Sequence, residues 1–155
     1  MHPIDEILAT ANWELTSPRE KLFSSDHVID AYLKGKNDGL EQQQKLIIEK
    51  LESNLNKAGK DTAEILSFLS ENNLHPSEAY LRINSWDDFS VLIVLPQDEF
   101  LNPRMLEVYA HITQLESKVE EAMYHFQVSF CDTEDNIDKN YIRSDGFSLK
   151  YKFGE

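Results

Sequence analysis

The hydrophobic period changes once along this chain, near His75-Pro76, and that change limits the accessible folds more than any other feature. Before it, apolar residues recur at spacings of three and four, as on one face of a helix. After it they alternate, as on a strand. A chain of 155 residues has room for one ordinary domain. Helices followed by strands give an α+β protein. The expected layout is an amphipathic segment over 1–25, a helical hairpin over 26–75 and a sheet domain over 76–155, packed as one unit.

In the helical part, Ile4, Ile7, Leu8 and Ala11 form a short amphipathic segment that leads to Trp13, and Ser17-Pro18 suits a helix start. A long helix is expected to begin after Asp26 and run to about Ala58, stopped by Gly59, with Leu33, Leu40, Ile47 and Leu51 on its apolar side. Asp61 and Glu64 form a potential capping box for a second helix ending near Asn72, which completes the hairpin. The long helix would measure about 48 Å at 1.5 Å per residue. That exceeds the roughly 30 Å breadth of a globule built from the rest of the chain. Part of it must then protrude, bend or meet a second copy. Leu33, Leu40 and Ile47 recur every seven residues, a seam fit for self-association. Trp13 is either an anchor for the amino terminus or a contact for a partner.

In the second part, "AYLRIN" and "FSVLIVL" read as strands joined by "SWDD". The second is apolar on both faces, as a central strand is. Asn102 and Pro103 open a crossover helix whose stripe runs from Met105 to Met123, and "FQVSF" follows as a parallel strand. Asp145-Gly146 signals a hairpin before a last strand with alternating Phe147, Leu149, Tyr151 and Phe153. The order is ββαββ, with the amino-terminal helices expected over the face that the crossover helix leaves open.

The formal charge is −13. Lys and Arg number eight against fourteen acids in residues 1–78, and seven against fourteen in 79–155, so no stretch is basic. Direct binding to nucleic acid is therefore not expected. A basic protein partner fits the charge, and so does mimicry of nucleic acid by an acidic surface. No run of about 18 apolar residues spans a membrane. The start lacks the basic, then apolar, pattern of a signal peptide. Cys131 is the single cysteine. A cytoplasmic protein is expected.

Asp87 and Asp88 stand directly before the apolar strand, where paired carboxylates can hold divalent ions for phosphoryl or nucleotidyl transfer. The order of strand, helix and strand around them resembles small stand-alone nucleotidyltransferases, which carry Gly-Ser followed by Asp-x-Asp. Here Asn84, Ser85 and Trp86 replace the Gly-Ser, Ser90 replaces the second Asp, and Gln127 and Ser129 occupy the third strand. Ser85, Asp87 and Asp88 are also favoured turn residues, and that is the role expected of them. Asp132, Glu134, Asn136 and Asp138 alternate like calcium ligands, but Ile137 and Arg143 stand where such a loop needs Gly and Glu. Asp132, Glu134, Asp135 and Asp138 are then an acidic patch. The five histidines show no metal spacing, and no Gly-rich phosphate loop is present, so no cofactor is expected. The resulting expectation is a non-catalytic interaction or accessory module, self-associating through Leu33, Leu40, Ile47 and Leu51. The alternative is a metal-dependent enzyme in which Asp87 and Asp88 converge with the acidic loop.

Overall fold

The computed structural model describes residues 13–16, 41–132, 142, 146–147 and 149–153. Five strands, β1 (Trp13–Leu15), β2 (Glu78–Ser85), β3 (Asp88–Leu95), β4 (His125–Asp132) and β5 (Leu149–Tyr151), form one mixed sheet in the order β1-β5-β2-β3-β4. Helices α1 (Gln42–Glu71), the single turn α2 (Gln97–Phe100) and α3 (Met105–Val119) complete the described elements. The α+β class holds. The element order does not match the expected hairpin followed by ββαββ, since a strand precedes the long helix and a short helix precedes the crossover.

The hairpin is replaced by one unbroken helix of 30 residues, about 45 Å long. Ile48, Leu51, Leu55, Ala58, Thr62, Ile65 and Leu69 are buried at alternating steps of three and four, straight through the region expected to break. Gly59 costs a helix about 1 kcal/mol against alanine. Each buried Leu or Ile returns about 1.5–3 kcal/mol by leaving water, so the stripe prevails over the glycine. Asp61 consequently lies within the helix and starts no second one. The expected start near Asp26 falls outside the described residues. At Gln42, Glu41 accepts from the N3 backbone amide, while its own N–H donates to Gln44 Oε1 at 2.8 Å.

The change of period at His75-Pro76 follows from how α1 ends. Asn73 takes a left-handed φ of 60°, Leu74 N–H donates to Leu69 O at 2.9 Å, and Asn73 N–H donates to Ser70 O at 3.1 Å. This is a Schellman termination, and it turns the chain into β2. β2 and β3 pair antiparallel, with a register shift between Ile83 and Ser85. β3 and β4 pair in parallel from Asp88↔His125 to Leu95↔Asp132. β3 is an interior strand, although the middle place belongs to β2.

Both long helices cover the same sheet face, contrary to the expected two-sided cover. Residues of α1 and α3 share one core with Leu81, Phe89, Val91, Ile93, Phe126 and Leu149. Phe68 of α1 stacks on His111 of α3 with centroids 3.7 Å apart. The opposite face carries a smaller cluster of Tyr80, Val94, Ile142 and Phe147, with Leu92 and Cys131 at its margin. Gly146 has φ +92°, and a Cβ there would meet Arg82 Cδ at 3.1 Å, so the turn before β5 needs glycine.

α3 ends at Val119, short of the expected Met123. Glu120 adopts extended backbone, and Glu121 and Tyr124 exchange backbone hydrogen bonds of 3.0 and 3.3 Å. Ala122 and Met123 thus form the tip of a tight turn, and Tyr124 is delivered to the core. Asn102 Oδ1 accepts from Arg104 N–H at 2.9 Å in the turn that precedes α3, but the helix begins at Met105 and its N-cap is Arg104 without a side-chain cap bond, not Asn102 as expected.

Replacing Leu51 by alanine should cost about 2–5 kcal/mol, read from urea unfolding. The same change at Leu46, 54% exposed, should cost less than about 0.5 kcal/mol.

Candidate interaction groove

Three consecutive apolar residues follow the polar first turn of α1, and a helix cannot hide all of them. Leu46, Ile47 and Ile48 span about 200° of the helical circle at roughly 100° per residue. Ile48 is buried, Ile47 packs at the edge of the core, and Leu46 is left in solvent. Beside them lie Trp86, at the tip of the β2–β3 turn, and Met123, at the tip of the turn after α3. Met123 is 52% exposed. Together with Glu49 and Lys50, these residues line an open groove of about 450 Å³.

One buried amide fixes its two non-helical walls. Asn54, fully buried, donates through Nδ2 to Trp86 O at 2.9 Å and to Met123 O at 2.8 Å. Each carbonyl left unpaired would cost roughly 1–3 kcal/mol, so the two tips are held to α1 and to each other. Asp87 O accepts from His125 N–H at 2.8 Å, which ties the same turn to the start of β4.

A polar cluster continues from the groove along α1. Tyr124 O–H donates to Asp61 Oδ2 at 2.7 Å, and Lys57 Nζ lies 5.5 Å from the Tyr124 ring centre. Lys57 also pairs with Glu121 at 3.0 Å. Burial pushes the Asp61 carboxyl above its usual range, against the opposing effect of the Tyr124 hydroxyl. Burial, and then Asp61, raise the Tyr124 phenol, so the proton stays on tyrosine. The Lys57 hydrogen bond and charge hold Glu121 low.

Of the residues singled out in the sequence, Ile47 lines the groove. Leu51 and Trp13 are 0% and 1% exposed and lie in the core, so neither is offered to a partner. Trp13 pairs with Tyr151 across β1 and β5, and the two rings meet edge to face at 5.3 Å. Leu33, Leu40, Glu134, Asp135 and Asp138 lie outside the described residues. Asp87 occupies the β2–β3 turn and accepts from Ser85 Oγ at 2.5 Å, and Asp88 opens β3. The parallel register puts Asp88 beside His125 and Asp132 beside Leu95. Seven strand steps, about 23 Å, separate those ends, so Asp132 does not join Asp87 and Asp88. Among the described residues no group of three metal-ligating side chains converges, and no helix is long and apolar enough to cross a membrane. His125 opens β4 rather than extending α3. Its imidazole pairs with Glu120 at 2.8 Å, and that bond raises it above its usual range. Burial pushes the Cys131 thiol up to about 11, which leaves it a poor nucleophile near neutral pH.

No known protein family, curated protein or solved structure matches this chain.

Because Asp61 binds its proton more tightly folded than unfolded, its contribution to stability is full below the usual value of 3.8. It is lost as pH rises through the raised folded value. Asp61→Asn keeps an acceptor for Tyr124 and removes the buried charge. Its stability relative to the natural chain should therefore improve as pH rises above the usual carboxyl value of 3.8, measured by urea unfolding at successive pH values. A difference independent of pH would contradict this.

Proposed function

We propose that this chain is a non-catalytic interaction module that self-associates at the start of α1 and receives a basic protein partner. The observation that carries the self-association is the groove beside Ile47, where Leu46 and Met123 are each more than half exposed within one apolar patch. Single exposed leucines are ordinary. An exposed leucine, an exposed methionine and a tryptophan around one concavity are the composition of a contact surface. Asn54 holds the walls in place before any partner arrives, which lowers the ordering cost of association.

Charge sets the conditions. Two copies at −13 each repel, so salt that screens them should strengthen an apolar self-contact. The same charge attracts a basic partner, and that attraction should weaken with salt. Glu49 and Lys50 at the rim offer opposite charges to a two-fold copy.

Sedimentation velocity of the natural chain should show a dimer whose population grows with added salt. Leu46→Glu should leave a folded monomer at every salt concentration. A natural chain that remains monomeric throughout, or a variant that still dimerises, would overturn the self-association.

A further inference from the structure

β4 is an edge: among the described residues it pairs with β3 alone. His125 N–H points inward to Asp87 O. Alternate residues of a strand direct their main-chain groups to opposite sides, so Phe126, Val128 and Phe130 direct theirs outward. The Val128 N–H is met by Glu116 Oε2 at 2.9 Å, where an added strand would place a carbonyl. α3 runs alongside as a wall. Glu116 and Glu120 stand near the first half of β4, while Tyr109 meets Phe130 edge to face at 5.7 Å near the second half. Tyr109 is 41% exposed and Leu106, one position off the same helical face, 75%. Lys118, two positions from Glu116, points to another side of the helix.

We propose that the outer edge of β4 takes an extended basic segment of a partner protein as an added strand. The inference rests on the basic-partner half of the function proposed above. Main-chain bonds to Phe126, Val128 and Phe130 hold the segment. Its alternate side chains lie about 6.8 Å apart, which matches the step from Val128, beside Glu116, to Phe130, beside Tyr109. A lysine or arginine therefore faces Glu116 while an apolar residue two positions away lies on Tyr109 and Phe130. Glu116 leaves the Val128 amide as the strand binds and pairs with the incoming cation. Until then it blocks indiscriminate pairing at this edge.

The test is an amide-resolved NMR titration of the full chain with an acetylated, amidated hexapeptide, Lys-Thr-Val-Thr-Lys-Thr, which carries lysine and valine two positions apart on one side of the strand. Saturable shifts at Phe126, Val128 and Phe130 are expected, weakened by salt, and abolished when the peptide is N-methylated at the alternate residues that face β4. Glu116→Gln retains an acceptor for Val128 but loses the charge, and should weaken binding about two- to fivefold. Undisturbed β4 amides, equal binding of the N-methylated peptide, or shifts confined to Leu46, Lys50 and Met123 would each overturn the proposal. Repeating the titration on Leu46→Glu separates this edge from the self-association groove, because that substitution leaves β4 untouched.

Discussion

Everything in this fold hangs on the burial of one sheet face by one continuous helix. The inward side chains of β2, β3 and β5 are apolar along their length, and α1 covers them with a stripe that never misses a turn from Ile48 to Leu69. α3 extends the same layer over β4. Because both helices serve one face, the other keeps only the small Tyr80–Phe147 cluster, beside a polar row in which Asn84 Nδ2 donates to Ser90 Oγ. The position of α1 also decides where the loops at its first half can go. Asn54 faces the sheet end there and captures the β2–β3 turn and the turn after α3.

The groove is a consequence of that capture. Trp86 and Met123 come from segments well separated in the chain, yet their carbonyls share one amide. Their side chains line the same groove as Leu46. The neighbouring polar cluster of Lys57, Asp61, Glu121 and Tyr124 fastens the same turn one step further along α1. The two carboxylates before β3 belong to this architecture as turn residues, and strand polarity sends the acidic residue at the end of β4 to the far end of the sheet.

Much of this was legible in the residues. The shift from helical to alternating period gave the α+β class, and a helix-length amphipathic run between two apolar strands gave the parallel β3–β4 pair. The hairpin misled because Gly59 and Asp61 carry strong local signals for a stop and a cap. The residues that continue the stripe, Ala58 and Thr62, are too small or polar to stand out. Pairing of Trp13 with Tyr151 joins opposite ends of the chain, which no local pattern records. Ile47, which lines the groove, was singled out by its seven-residue spacing. Leu46 could have been found from the run Leu46-Ile47-Ile48, since three successive apolar residues cannot all face one core. Trp86 and Met123 reach the groove through Asn54, and a lone polar residue on an apolar stripe was the available sign.

The most direct measurement of the proposed self-association is an isotope-filtered NOE experiment on a mixture of labelled and unlabelled chain. Intermolecular contacts from the Leu46 and Met123 methyl groups to Trp86 or Ile47 of the other copy are the predicted result. Their absence under conditions where the chain is dimeric, or contacts arising only from another surface, would contradict the account.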